Sequence, residues 1–174
     1  TEVLVAEGNV YIGRIIIADE PRPDSAEAIT DLNRQNIKTI MLTGDAQASA
    51  DYIAKQTGVS AVRAQLLPQD KLSAVQGVRS EYGPTMFVGD GINDAPVLAG
   101  ADVGGAMGSG ADAAIEAADV VFMRPSLKAI AHVIDLSKAT LSVAWQNVVF
   151  AIAVKIIIMV MGLMGYASMW WAVF

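Results

Sequence analysis

The run Gly89-Asp90-Gly91-Ile92-Asn93-Asp94-Ala95-Pro96 places two carboxylates and an amide in a segment whose glycines let the backbone turn tightly. All three side chains offer hard oxygen donors of the sort Mg2+ prefers, and glycine allows close backbone approach to a ligand. A Gly-rich Asx turn that is merely acidic accounts for Gly89-Asp90-Gly91 alone, but poorly for the whole run after the apolar Met86-Phe87-Val88. Thr43-Gly44-Asp45 stands in the same relation to Thr39-Ile40-Met41-Leu42, and Pro68-Gln69-Asp70-Lys71 puts a cation at a helix start. Lys155 is a different kind of signal, a single charge inside an otherwise apolar run. Such a charge in a bilayer costs about 3 kcal/mol or more, so it usually has a partner or a task.

Alternating strands and helices must position these groups. Residues 2–6 and 10–18 read as β-rich runs around the turn Glu7-Gly8-Asn9. Arg22-Pro23-Asp24-Ser25 opens a helix whose apolar Ala28, Ile29 and Leu32 share a face. Residues 39–42 predict a buried strand, followed by a helix to about Thr57 with Gly58 behind it. Pro68 begins a helix that ends near Tyr82-Gly83, and 86–88 form the next buried strand. Asp102-Val103-Gly104 and Asp119-Val120-Val121-Phe122 predict two further strand pieces. Short apolar strands alternating with longer helices imply βαβ units and a parallel sheet, an α/β fold. Ligands of such sheets collect at the carboxyl ends of the strands, so the Thr43 and Asp90 loops are expected at one edge of one sheet.

The composition divides the chain into two materials. Overall, 53% of residues are apolar and the mean hydropathy is +0.43, yet residues up to about 145 mix charged and apolar side chains as a soluble domain does. From Gln146 to Phe174 the only charged side chain is Lys155, and Gln146 to Gly165 makes 20 residues, about enough to cross a bilayer core. Arg124, Lys128 and Lys138 precede that span, which predicts an integral protein of the cell membrane with its soluble domain cytoplasmic. Membrane lipid is therefore an expected partner. Trp170 and Trp171 fall where interfacial aromatics are expected. The net charge of −6 excludes a nucleic-acid partner, since no basic patch neutralises phosphates. Without cysteine there is neither disulfide nor thiolate metal site. An abrupt start in a strand pattern and an end inside an apolar run predict a piece cut from a longer protein.

The run 89–96 resembles the hinge motif of P-type ATPases, whose phosphorylation domain belongs to the haloacid dehalogenase superfamily. Thr43-Gly44-Asp45 and Pro68-Gln69-Asp70-Lys71 match two further motifs, in the family's order and separation. Met107-Gly108-Ser109-Gly110 and Ile115-Glu116-Ala117-Ala118-Asp119 fit as well, so the resemblance covers essentially the whole chain. It implies a Rossmann-like parallel sheet and divides the chain into 1–19 (end of the nucleotide-binding domain and return strand), 20–125 (carboxy-terminal part of the phosphorylation domain) and 126–145 (a linking helix). Residues 146–165 would be a transmembrane helix and 166–174 the start of a truncated last one.

The resemblance also implies roles. ATP is the substrate and Mg2+ the cofactor. Thr43 and the Gly44 amide would hydrogen-bond the transferring phosphoryl group, and Lys71 would neutralise its charge. Asp90 would bind Mg2+, Asn93 would hold the phosphate side, and Asp94 would support the magnesium site and couple it to the hinge. Asp45 belongs to the same set, with helix capping as its plain alternative. Family members form an aspartyl phosphate within an Asp-Lys-Thr-Gly-Thr sequence, which does not occur here. The nearest imitation, Ile17-Ala18-Asp19-Glu20-Pro21, lacks the following Lys-Thr. The piece is therefore expected to be inactive alone, and the remainder of the pump is its necessary partner.

For the transported ion, Gln146-Asn147 with the internal Lys155 resembles pumps for Zn2+, Cd2+ and Pb2+, with Lys155 at the transport site. In those pumps a carboxylate partner is expected beyond Phe174. Copper pumps are the alternative, and would put Tyr-Asn where Gln146-Asn147 stands. Met159, Met161 and Met164 on an apolar helix read as packing and lipid-facing residues rather than soft ligands. The Gly-Ser-Gly and Glu-Ala-Ala-Asp context favours the heavy-metal branch over potassium pumps. A membrane-anchored phosphatase of the dehalogenase superfamily and a non-enzymatic subunit are rival readings. His132, a lone imidazole, has ordinary surface or packing duty.

Overall fold

Glu2–Glu7 (β1) and Val10–Ile16 (β2) pair antiparallel. The turn between them holds Gly8 at φ +61°, a left-handed conformation that favours glycine. The computed structural model describes residues 2–16, 20–108, 110–124 and 126–165. Ile17, Ala18, Asp19, Trp170 and Trp171 lie outside them, and so do the sequence expectations that fell there. The chain divides into two units, Thr1–Ile130 and Ala131–Phe174.

In the first unit the helices and parallel strands alternate as the sequence predicts. Ser25–Arg34 (α1) and Ile40–Leu42 (β3) come first, then Gln47–Thr57 (α2), which stops where Gly58 turns left-handed at φ +78°. Ala61–Arg63 (β4) pairs parallel with β3. It carries no periodic signal, because three residues are too few to show one. Pro68–Tyr82 (α3) leads to Met86–Gly89 (β5), a 3-10 turn at Ile92–Asp94 and Ala95–Gly100 (α4). Val103–Met107 (β6), Asp112–Ala117 (α5) and Val120–Phe122 (β7) complete the unit, with β5, β6 and β7 parallel in that order.

One sheet was expected, and the described strands form two parallel ones. β3 pairs with β4 alone, while β5 pairs only with β6. Among the described residues, each of the strands that precede the Thr43 and Asp90 loops is therefore an edge. Backbone groups along such edges call for a partner.

Small residues on β6 set how closely α4 packs. A Cβ at Gly104 would lie 2.6 Å from the Leu98 carbonyl oxygen, and one at Gly105 would meet Met86 and Phe122. That approach buries Leu98, Ala106 and Ala114 completely, with Phe87 and Ile115 against them. The core thus sits directly behind the loop that follows β5. Deleting space there by adding a methyl group typically costs about 1–3 kcal/mol.

The helix opening at Arg22-Pro23-Asp24 is built unlike an ordinary cap. Asp24 occupies the cap position of α1 but makes no cap hydrogen bond with its side chain. Its carboxylate instead accepts from the Ser126 hydroxyl at 2.7 Å and the Leu127 amide at 3.0 Å. These bonds, the Ser126 one foremost, hold the Asp24 pKa below its usual 3.8 against the opposing effect of burial. A folded-state pKa below the unfolded value contributes stability that is present above pH 3.8 and lost as pH falls through the lower folded value. Amide-exchange protection at Leu127, corrected for intrinsic rates, should therefore hold above pH 3.8 and fall below it. In Asp24→Asn that acid-dependent step should vanish.

Lys128–Leu163 (α6) is one continuous helix of 36 residues. It is long and apolar enough to cross a membrane by length and composition. Its apolar side chains in the second unit are exposed nearly throughout, including Phe150, Ile157, Met159, Met161 and Met164. His132 is exposed too.

Candidate active site

Asp94 is the centre of the site. It ends the 3-10 turn and stands at the cap position of α4, yet its carboxylate does not cap that helix. Instead it turns back, taking Lys71 Nζ at 2.8 Å on one oxygen and the Gly91 amide at 3.4 Å on the other. A Cβ at Gly89 would lie 3.0 Å from that carboxylate, and one at Gly91 3.3 Å. Both glycines of the motif thus leave room for this fold-back. Asp94 is only 8% exposed, so its charge depends on Lys71.

Lys71 reaches Asp94 from the first turn of α3. Pro68 opens the helix, and the Asp70 carboxylate accepts from the Leu67 amide at 3.3 Å, closing the helix start. A cation near a helix N-terminus opposes the helix dipole. Local propensity therefore does not place Lys71 there; the carboxylate opposite does.

The Thr43 loop is tied to the residues just before α3. Thr43 N donates to the Arg63 carbonyl at 3.0 Å, Leu66 N to the Thr43 carbonyl at 3.0 Å, and Gln65 N to the Asp45 carbonyl at 2.9 Å. Gln65 adopts φ +58° to do so, a conformation that is strained without glycine's freedom. Gly44 packs so that a Cβ would lie 3.2 Å from the Leu66 carbonyl oxygen. The Thr43 hydroxyl donates to Asp45 at 2.6 Å and accepts from the Asp45 amide at 3.1 Å. This corrects the capping alternative for Asp45: the cap residue of α2 is Ala46, without any side-chain cap bond. The Asp45 carboxylate accepts from Thr43 and makes no cap bond to the helix. The Gly44 amide and the Asn93 side chain make no hydrogen bond among the described residues, and both residues are exposed.

Asp90 faces outward, its side chain 60% exposed, with Arg22 Nη2 at 3.8 Å. Its carbonyl accepts from Ala111 N at 3.0 Å, and a Cβ at Gly110 would lie 2.6 Å from the same oxygen. Gly110 thus fixes the loop from behind, a role its place in Met107-Gly108-Ser109-Gly110 only hinted at. Arg22 is a neighbour that sequence reasoning missed, because an Arg before Pro at a helix start carries no motif of its own. The open carboxylate of Asp90 fits a hard divalent cation, whereas the oxygens of Asp94 are taken by Lys71 and Gly91. Among the described residues no group of three His, Cys, Asp or Glu converges to complete a metal site. The donor set fits Mg2+ in part, with the other donors to come from elsewhere.

The structure therefore brings Lys71, Asp94 and Gly91 into contact, keeps Asp90 on the same loop, and links the Thr43 loop to the start of α3. Lys155 belongs to α6 in the second unit, exposed and without an ion pair among the described residues.

The site thus combines parallel strands, a paired lysine and aspartate, and glycine-turned loops. The chain belongs to the haloacid dehalogenase-like hydrolases, whose family model matches residues 1–102. Within them it resembles the heavy-metal-transporting P-type ATPases. It is 49% identical over its full length to the cadmium, zinc and cobalt-transporting ATPase of Bacillus subtilis (strain 168), of which it covers 26%. It is 44% identical over its full length to the zinc-transporting ATPase of Synechocystis sp. (strain PCC 6803), covering 25%. A solved zinc-transporting PIB-type ATPase in the E2.Pi state superposes with a TM-score of 0.89 at 40% identity, over 99% of this chain and 28% of that one. The chain spans about a quarter of the length of the curated relatives it matches.

Proposed function

We propose that the chain is the carboxy-terminal part of the phosphorylation domain, with the membrane helix that follows, of an ATP-driven exporter of Zn2+, Cd2+ or Pb2+ working through an aspartyl phosphate. The observation that carries this reading is the Lys71–Asp94 pair at 2.8 Å, held by both glycines of the loop after β5. That pair joins two motifs separated by 23 residues, as a shared phosphate site requires.

The rest of the pump supplies what these residues lack. A strand bearing the phosphorylated aspartate would pair with the open edges of β3 and β5 and complete both the sheet and the metal donors. The apolar residues exposed on the β1–β2 hairpin, among them Leu4, Val10 and Ile12, support further covering structure from the same source. A two-stranded hairpin alone is only marginally stable in water.

In the assembled site, Lys71 offsets the charge of the phosphoryl group while Asp94 holds its ammonium in place. The Gly44 amide and Asn93 are free to donate to phosphoryl oxygens, and Thr43 can do so once its proton turns from Asp45. Mg2+, when bound at Asp90, supplies charge neutralisation for the phosphate. Little covalent chemistry is asked of the protein, so positioning and electrostatics carry the reaction.

α6 is about 54 Å long at 1.5 Å per residue, well beyond the ~30 Å of a bilayer core. Its first part, with Lys128, Asp135 and Lys138, stays in the cytoplasm, and the stretch from Gln146 onward spans the membrane in contact with lipid. The exposed Met159, Met161 and Met164 then face lipid rather than copper. Lys155 sits near mid-membrane, where its carboxylate partner comes from beyond Phe174. The test uses the complete pump. Zn2+ should stimulate phosphoenzyme formation from ATP, and Lys155→Ala should lower Zn2+-stimulated hydrolysis roughly tenfold or more, the expected scale for an unpaired intramembrane charge site. Unaltered Zn2+ stimulation in that variant removes Lys155 from the transport path.

A further inference from the structure

Arg63, the last residue of β4, holds two parts of the site at once. Its carbonyl accepts from the Thr43 amide at 3.0 Å, while its guanidinium reaches α3. There Nη1 donates to the Ala74 carbonyl at 3.0 Å, and Nη2 lies 3.6 Å from the Glu81 carboxylate. Ala74 follows Lys71 by about one turn of the same helix. Gly77 stands between the two contacts, and a Cβ there would come 3.2 Å from Arg63 Nη1. Glycine is a poor residue for a helix interior, and no positive φ calls for it at this position. What it provides is room for the guanidinium against the helix.

We propose that Arg63 is a positioning residue that sets the placement of α3, and with it Lys71, against the Thr43 loop. The inference rests on the pump reading above. The Lys71–Asp94 pair ties the start of α3 to the loop after β5. On the other side, the backbone bonds from Thr43 and Asp45 end at Leu66, before the helix begins. Arg63 carries that second attachment into the body of α3 through Ala74. Its guanidinium is not placed against the reacting atoms. It acts by keeping the Lys71 ammonium and the donors of the Thr43 loop at a constant spacing, so that both meet one phosphoryl group. A misplacement of about 1 Å in such a spacing is enough to cost roughly a hundredfold in rate.

The test is the rate of phosphoenzyme formation from ATP in the complete pump, with thermal unfolding of the same preparations. Arg63→Met keeps the apolar stem and removes the donors, and is expected to slow phosphorylation about tenfold. The ATP concentration for half-maximal rate should not change, because the loss falls on the transfer step. Gly77→Ala improves the helix locally yet crowds the guanidinium, and should slow phosphorylation about threefold without lowering the unfolding temperature. In the Arg63→Met background the same alanine should have no further effect on rate, a coupling that a merely structural role would not produce. If Arg63→Met fails to fold, Gly77→Ala decides alone: a slower rate at an undiminished unfolding temperature supports the assignment, and a wild-type rate overturns it. A wild-type rate in Arg63→Met, a raised half-maximal ATP concentration, or equal effects of Gly77→Ala in both backgrounds overturns the role of Arg63 alone. A wild type that forms no phosphoenzyme overturns the pump reading, and the role of Arg63 with it.

Discussion

Asp90→Asn in the complete pump is expected to abolish Mg2+-dependent phosphoenzyme formation, by about a hundredfold or more. The substitution keeps the shape of the side chain and removes its charge. The backbone of the loop is anchored independently of that charge, through Ala111 N on the Asp90 carbonyl and the close packing of Gly110. Folding should therefore survive, and the loss should lie in the chemistry. The 60% exposure of the carboxylate fits this assignment, since a group that served packing would be buried. Raising Mg2+ should recover part of the activity, because an amide oxygen remains a weak donor. Normal phosphoenzyme levels at ordinary magnesium in Asp90→Asn would defeat the role.

Lys71→Met is expected to have the second-largest effect, and for two reasons that one further variant separates. Lys71 is 21% and the Asp94 side chain 12% exposed, so their pair is screened less than a surface one. Removing the ammonium leaves a largely buried carboxylate with only the Gly91 amide, a loss on the order of 1–3 kcal/mol in stability. In the proposed role it also removes the positive charge set against the phosphoryl group, worth roughly 10²–10³ in rate for a donor at such a site. Asp94→Asn combined with Lys71→Met should restore much of the stability, because no unpaired charge remains. It should restore none of the phosphoryl transfer. Thermal unfolding and phosphoenzyme assays of the single and double variants measure the two effects side by side. Recovery of both in the double variant would make the lysine a structural counter-ion and nothing more.

The motif loops were legible because glycine, proline and acidic residues punctuate the chain between short apolar runs. Gly58 behind α2, Pro68 at the start of α3 and the β5 run before Gly89 all fall where those signals put them. β4 was not legible: its three residues form a strand only because β3 lies beside them. α4 and α5 went unread for a similar reason. Each has six residues and depends on β6 behind it rather than on an amphipathic period of its own.

Other features depend on pairs far apart in the chain. That Asp24 reaches Ser126 instead of capping α1 follows from where a distant segment comes to lie, whereas Asp45 is bound by Thr43 within its own loop. Asp24 had a plausible local use, and a tertiary partner took it. The same holds for Arg22, which the Asp90 loop approaches within 3.8 Å.

By itself, then, the sequence determined the α/β class, the order of the motifs and the apolar helix, because these follow from local periodicity, turn chemistry and length. Only the tertiary structure decided which charged groups meet: Lys71 with Asp94, Arg22 with Asp90, Asp24 with the segment before α6. Among the described residues it also left β3 and β5 in separate sheets. The physical reason is common to all of these. A charge or a strand edge is satisfied by whatever the packed chain brings within hydrogen-bonding reach, and that distance is written in the fold rather than in the spacing of residues along the chain.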